Sequence, residues 1–275
     1  MPPGFLPQEL RIAAGLIRPD WVGEESLRNL EAMALPEEII LRILELLLGG
    51  LVQRPQKALA SGAVAAAMAL LHPDLPKTAQ DLARQVTLLY EQNERMLRLR
   101  PQAWLSHLND LAEAKLEPPP KALVDLLREH SGAQWLVIDC FGPPILKMLT
   151  EILASCLTCW ELHSTEFALT SPESSTDAFY RTLIDGGLAH SFEKINAVDE
   201  RIHARKESLP DLTRVARAEL EVAFRKLMQR LGPGKPVLIF GDHGFRLALD
   251  GRGFTHGGRS TLERLVPVVT LRPLP

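Results

Sequence analysis

The chain contains 275 residues, of which 46% are hydrophobic and only 5% aromatic, and its formal net charge is -3. This length exceeds that of one average domain, and the hydrophobic fraction is enough for sizeable cores built mainly from aliphatic side chains. The nearly neutral balance does not indicate a broad basic surface for nucleic acid or for an anionic membrane, and a local basic patch stays open.

The cysteines and the chain start predict a cytoplasmic protein. The three cysteines, Cys140, Cys156 and Cys159, are too few for a disulfide framework. The N-terminal segment has no basic stretch followed by an apolar run, so we expect no signal peptide. The most apolar stretches fall short of the ~20 residues that a membrane-spanning helix needs, so we also expect no membrane partner.

The first half of the chain has a helical pattern. From Pro7 to about His130, apolar residues recur at three- and four-residue spacing, which predicts amphipathic helices. The run Pro118–Pro120 is the clearest break in this pattern. We predict an all-helical domain over residues 1–120, with a role as an interaction module for a protein partner.

After residue 120 the pattern changes to short apolar runs separated by helical stretches. The runs are QWLVID, KPVLIFGDHG and LVPVVTL. Short apolar strands that alternate with helices are typical of an α/β domain with a mainly parallel sheet covered by helices. We predict such a domain over residues 121–275, with its functional residues beyond the carboxyl ends of the strands.

Six candidate metal ligands lie at the ends of predicted strands or on one face of a predicted helix. They are Asp139, Asp199, His203, Asp242, His243 and His256. Asp199 and His203 are four residues apart, so they share a helical face and can reach one cation. Carboxylates and imidazoles suit Zn²⁺, and Mn²⁺ less exclusively. Six ligands exceed the need of one catalytic zinc, so they predict two divalent metal ions, an arrangement used in phosphoryl transfer.

The segment GDHGFRLALDGRGFTHGGRSTLERLVPVV, residues 241–269, resembles PglZ domains of the alkaline phosphatase superfamily. The resemblance extends over about the last half of the chain. It implies an alkaline phosphatase-like fold and a pair of metal ions. It also implies two ligand sets, one of Asp199, His203 and His256 and the other of Asp139, Asp242, His243 and the nucleophile.

The resemblance implies a Ser or Thr nucleophile between Asp139 and the Asp-x-x-x-His element. In related pyrophosphatases, a nucleophilic Thr opens a helix ten residues before a Gly, and Thr176 stands in this relation to Gly186. Thr176 is therefore the implied nucleophile and a metal ligand, with Ser175 and Ser174 as alternatives. A helix N-terminus favours phosphate, whereas an ordinary N-cap is the other interpretation of this turn.

Arginines near the later ligands are candidates for substrate binding. The residues after Asp139 are Cys-Phe-Gly-Pro-Pro, where PglZ relatives have an Ala-Leu-Arg type of continuation, so one potential phosphate-binding arginine is missing. Arg246, Arg252 and Arg259 are the candidate replacements, because a guanidinium group binds phosphate oxygens in a bidentate manner. Solvated loop charges are the alternative interpretation.

Two functions follow as hypotheses. The first is a metal-dependent phosphohydrolase, and the resemblance favours a phosphodiesterase that acts on a nucleotide or another phosphate ester. The acidic balance does not favour duplex DNA, and nucleic acid stays open as a substrate. The second is a metal-binding interaction or signalling module of a multi-protein, defence-type system with little or no catalytic activity. The complete ligand set argues against full degeneration of the site, since buried charges without a role are costly, but it leaves slow or absent turnover open.

Overall fold

The structure is a computed structural model, and it describes residues 7–55, 62–156, 160–188, 192–204, 208–228, 230 and 234–274. The chain forms two compact units. Unit 1 comprises Met1–Asp74 and Gln92–His107, and unit 2 comprises Leu75–Glu91 and Leu108–Pro275. Unit 2 thus includes helical segments that precede residue 120, where the sequence pattern places a domain boundary that stays a prediction. In the described ranges, no helix combines the length and the apolar character needed to cross a membrane.

The described helices account for most of the regular structure. They are α1 (Pro7–Gly15), α2 (Glu24–Arg28), α3 (Glu37–Leu48), α4 (Gly62–Leu71), α5 (Ala79–Glu91), α6 (Asn93–Leu99), α7 (Pro101–Ala112), α8 (Leu123–Glu129), α9 (Leu146–Cys156), α10 (Thr176–Asp185), α11 (Asp199–Ala204), α12 (Leu209–Met228) and α13 (Thr261–Arg264).

Unit 1 has helices and no strand among its described residues. Helix α3 packs against α1, α4 and α6, and it does so through apolar residues at helical spacing, such as Ile40, Leu44 and Leu47. Trp104 is fully buried, and its indole Nε1 donates to Asn93 Oδ1 at 2.8 Å. Burial of these apolar side chains accounts for the helical periodicity of the sequence.

Unit 2 contains the strands. They are β1 (Gln134–Ile138), β2 (Trp160–Leu169), β3 (Glu193–Ile195), β4 (Val237–Gly241), β5 (Arg246–Leu247), β6 (Phe254–Thr255) and β7 (Leu265–Pro273). Five of them form one sheet in the order β2-β7-β4-β1-β3, and β5 pairs with β6 in a small hairpin. Strand β1 runs parallel to both β3 and β4, whereas β7 runs antiparallel to both β4 and β2.

The predicted α/β class, with helices covering a sheet, is confirmed, but the mainly parallel character needs correction. The sheet is mixed, because β7 opposes both of its neighbours. The physical reason lies in the segment between β4 and β7. It carries only the β5-β6 hairpin and the short helix α13, and antiparallel neighbours need no long crossover helix of the kind that parallel strands require.

The core of unit 2 lies on both faces of β1 and β4. On one face, Trp135, Val137 and Phe240 pack with residues of α8 and α10, among them Leu127 and Phe179. The residues that alternate with them, such as Leu136, Ile138 and Ile239, are equally buried. Strands buried on both faces form continuous apolar runs, which is why these two strands were recognisable in the sequence. The same burial fixes where their carboxyl ends lie.

Gly244 follows the Asp242-His243 pair and is closely surrounded by backbone. A Cβ atom at this position would lie 2.7 Å from the Leu262 carbonyl oxygen and 2.9 Å from that of Leu265. Because backbone cannot yield as a flexible side chain does, we expect Gly244→Ala to lower the free energy of unfolding by about 1–3 kcal/mol. Urea unfolding followed by circular dichroism measures this change. Gly132→Ala is the matched control, since a Cβ there meets nothing within 4 Å; equal losses in both variants would refute the packing argument.

Candidate metal centre

The predicted ligands converge at one edge of the five-stranded sheet. Asp139 follows β1 and Asp242 follows β4, and these parallel neighbours end at the same edge. Asp199 opens α11 shortly after β3, the other neighbour of β1. His256 follows β6 directly. The topology of the sheet therefore brings together residues that lie more than one hundred positions apart in the chain.

Asp199, His203 and His256 form the first group of ligand atoms, which we call cluster A. Asp199 Oδ1 lies 3.3 Å from His203 Nε2 and 3.1 Å from His256 Nε2. The two Nε2 atoms are 2.9 Å apart. Atoms that bind one tetrahedral zinc at ~2.0–2.2 Å are separated from each other by about 3.3 Å. Cluster A thus has the spacing of ligands to one ion, and it opens to solvent at His203, whose side chain is 64% exposed.

The electrostatics of cluster A keep its carboxyl group ionised. Burial tends to raise the pKa of Asp199, but the hydrogen bonds from His256 and Cys140 and the charges of His203 and His256 lower this pKa to about 2. The hydrogen bond with Asp199 raises the pKa of His256. A divalent cation would replace the proton that the carboxylate and the imidazole now share.

Asp139, Asp242 and His243 form the second group, which we call cluster B. His243 Nε2 lies 3.3 Å from Asp139 Oδ1 and 3.8 Å from Asp242 Oδ1. All three residues are buried. Burial, reinforced by the charge of Asp242, raises the pKa of Asp139 to about 7, while burial lowers the pKa of His243. His243 is therefore a neutral imidazole, the form that binds metals.

The two clusters adjoin each other. The rings of His243 and His256 stack with their centroids 4.5 Å apart. Within cluster B, Asp139 Oδ1 is buried and has no hydrogen-bond partner among the described residues, although His243 Nε2 lies close by. Two potential ligand atoms that lie this close, with no hydrogen bond between them, are arranged as two ligands of one cation would be. This oxygen on its own is thus compatible with a divalent metal ion, and so are the donor atoms of cluster A.

Thr176 is placed beside cluster B as the first residue of α10. Its hydroxyl donates to Asp242 Oδ2 at 2.8 Å. Ser175 is the N-cap of α10 and accepts a hydrogen bond from the Ala178 backbone N–H. Ser174 is fully buried, and its hydroxyl accepts from the Gly257 backbone N–H at 3.2 Å. The N-cap interpretation therefore applies to Ser175, and among these three residues it is Thr176 that bonds to a predicted ligand.

Lys194 is a site residue that the sequence analysis missed. It lies on β3, and its Nζ is 2.7 Å from Asp139 Oδ2 and 3.2 Å from Asp242 Oδ2. The same Nζ donates to Thr176 Oγ1 at 3.1 Å. Burial tends to lower the pKa of Lys194, but the two carboxylates raise it overall, so the ammonium stays charged. Strand β3 spans only three residues, which is too short to be recognised as a strand from its sequence. The one signal for Lys194 was its position beside the ligand segments.

Cys140 is the second missed residue. It has a positive φ of 59°, which is unusual for a residue other than glycine, and its thiol is buried. Cys140 Sγ lies 3.2 Å from Asp199 Oδ1 and 3.4 Å from His243 Nδ1. Burial, and then the charge of Asp199, raise the pKa of this thiol. The thiol thus donates a hydrogen bond to cluster A, and the signal in the sequence was its place directly after Asp139.

The three candidate arginines bind elsewhere or face solvent. Arg246 donates to Asn109 Oδ1 at 3.1 Å, and Arg259 pairs with Glu173 at 2.7 Å. Arg252 is exposed in the loop between β5 and β6. Among the contacts of the described residues, none joins these arginines to clusters A and B. Their role in substrate binding stays a prediction.

Together, the site offers two adjoining sets of candidate metal ligands, a hydroxyl at a helix N-terminus and one partly buried ammonium group. Such a set can bind a divalent cation and a negatively charged substrate. No protein-family model matches the chain, and its sequence matches no curated protein.

Proposed function

We propose that the chain is a metal-dependent phosphohydrolase with Thr176 as its nucleophile. The preferred substrate is a phosphodiester such as a nucleotide derivative, the setting is the cytoplasm, and the divalent cation is Zn²⁺ or Mn²⁺. One observation carries the proposal: the Thr176 hydroxyl bonds to Asp242 within a site whose other members are candidate metal ligands and the Lys194 ammonium group. The resemblance of residues 241–269 to PglZ domains, and with it an alkaline phosphatase-like fold, supports the same function.

The residues around Thr176 favour attack by its oxygen. A hydroxyl is a weak nucleophile at its own pKa. Asp242 Oδ2 accepts the hydroxyl proton, and the Lys194 ammonium faces the same oxygen and stabilises negative charge on it. The N-terminus of the ten-residue helix α10 favours a phosphate group beside Thr176. A bound divalent cation would supply Lewis-acid polarisation of the ester.

The covalent step exchanges one phosphorus–oxygen bond for another. The bond from Thr176 Oγ1 to phosphorus forms, the bond from phosphorus to the leaving alcohol breaks, and the proton of the hydroxyl passes by way of Asp242 to the leaving group or to solvent. Water then attacks the phosphorus atom, the bond from phosphorus to Thr176 Oγ1 breaks, Oγ1 regains a proton from that water, and the phosphate monoester leaves. No oxidant or second substrate other than water is required.

A metal-binding module without turnover is the second candidate. The observation in its favour is that Arg246 and Arg259 already contact Asn109 and Glu173, so two of the three predicted phosphate-binding guanidinium groups have other partners. In this case unit 1 would bind the protein partner, and the metal would stabilise unit 2. Both candidates predict metal binding, but only the first predicts turnover.

Hydrolysis of three chromogenic esters distinguishes the substrate classes. Zinc- or manganese-loaded protein is incubated with bis(p-nitrophenyl) phosphate, p-nitrophenyl phosphate and p-nitrophenyl sulfate, and release of p-nitrophenolate is followed. We expect the diester to react fastest and the sulfate not to react. Faster cleavage of the monoester would change the preferred substrate from a phosphodiester to a phosphomonoester. Absence of turnover with both phosphate esters would refute the phosphohydrolase and favour the binding module.

A further inference from the structure

Lys194 has a geometry that is unusual for a lysine beside metal ligands. An ammonium group has three N–H donors and no acceptor. Three oxygens surround Nζ at 2.7, 3.1 and 3.2 Å, namely Asp139 Oδ2, Thr176 Oγ1 and Asp242 Oδ2. The number of donors equals the number of these acceptors. The side chain is only 22% exposed, so this charge is held at the site and not in bulk solvent.

These three oxygens belong to the set that the sequence analysis assigned to one of two metal ions. An ion bonded to Thr176 and to both carboxylates at ~2.0–2.2 Å would compete with Nζ for the same three oxygens. A divalent ion and an ammonium group repel each other strongly at such short range in a buried site. The Lys194 ammonium group already pairs with both carboxyl groups, so it supplies a positive charge at the place where that ion would lie.

We propose that the Lys194 ammonium takes the place of one metal ion, so that the chain binds a single divalent cation at cluster A. The remaining ion is held by Asp199, His203 and His256, whose three donor atoms lie within 3.3 Å of one another. Lys194 supplies the positive charge beside Thr176 that a second metal would otherwise supply. The role given to Lys194 beside the nucleophile rests on the proposed function. The predicted number of bound metal ions does not depend on that function.

Metal stoichiometry tests the inference without any turnover. Full-length wild-type protein is stripped with EDTA, reloaded with excess ZnCl₂ and freed of unbound metal, and zinc per chain is measured by plasma mass spectrometry and by calorimetric titration with ZnCl₂. We expect one zinc per wild-type chain and two per Lys194→Met chain, in which the ammonium is removed and cluster B becomes available. Lys194→Arg retains the charge and is expected to bind one. Lys147→Met, which alters an exposed residue on α9, is the matched control and is expected to bind one.

Two zinc ions in wild-type protein would overturn the inference, even if Lys194→Met fails to fold. One zinc in both wild type and a folded Lys194→Met would also overturn it, because the ammonium would then not be what excludes the second ion. Ester hydrolysis is measured separately on the same wild-type samples. Absent turnover would refute the phosphohydrolase but would not change the meaning of the measured zinc stoichiometry. Likewise, an unexpected zinc stoichiometry would not change the meaning of the measured turnover.

Discussion

Replacing Thr176 with alanine is expected to lower kcat/KM for phosphodiester hydrolysis by at least ~10³-fold, the scale on which removal of a catalytic nucleophile acts. The hydroxyl is the group that bonds to Asp242 and faces Lys194, so the variant loses the attacking oxygen itself. Zinc affinity should change little, since the atoms of cluster A do not include Thr176. Steady-state kinetics and zinc titration on the same preparation separate the two effects.

Thr182→Ala is the matched control for this variant. Thr182 lies on the same helix, and its hydroxyl donates to the Ala178 carbonyl oxygen at 2.9 Å, away from the ligands. We expect its activity to equal that of the wild type. Ser175→Ala loses the N-cap of α10 and should lower stability by about 1 kcal/mol, with activity retained. Full activity in Thr176→Ala would contradict the assignment, and loss of activity in Ser174→Ala or Ser175→Ala instead would move the nucleophile to that serine.

Replacing His256 with alanine is expected to have the largest effect on metal binding. His256 supplies one of three donor atoms in cluster A and lies between His203 and the stacked ring of His243. Loss of an outer-shell partner costs ~10–100-fold in metal affinity, so loss of a ligand should exceed 100-fold. Competition of the protein with a chromogenic zinc chelator measures this change.

A second readout of the same variant is thermal unfolding. A ligand that binds only the folded state raises the melting temperature, so zinc should stabilise the wild type and should lose this effect in His256→Ala. His163→Ala is the matched control, because His163 is exposed on β2. Unchanged zinc affinity in His256→Ala would place the metal outside cluster A.

The location of the candidate site was predictable because the sheet follows simple rules. Asp139 and Asp242 each end a continuous apolar run, and parallel neighbours bring such ends together. The direction of β7 was not predictable, since a buried antiparallel strand has the same apolar composition as a parallel one. Lys194 and Cys140 were missed because their roles depend on distances to residues that lie far away in the sequence.

The sequence pattern does not show to which of the two units each helix belongs. Periodicity identifies the apolar face of α5, but it does not identify the surface on which this face packs. In the structure, α5 belongs to unit 2, and Tyr90 at its end accepts a hydrogen bond from the Leu247 backbone N–H at 3.0 Å. The ring of Tyr90 also packs against that of Phe254 at 5.6 Å. Such long-range contacts cannot be deduced from the spacing of residues within one helix.

The central claim is that this site performs metal-dependent hydrolysis of phosphate esters. Its most direct test is the rate of bis(p-nitrophenyl) phosphate cleavage by one wild-type preparation, measured after EDTA treatment and again after addition of Zn²⁺ or Mn²⁺. The account predicts no turnover in EDTA and restored turnover with metal. Turnover that persists in EDTA, or its absence from metal-loaded protein, would contradict the claim.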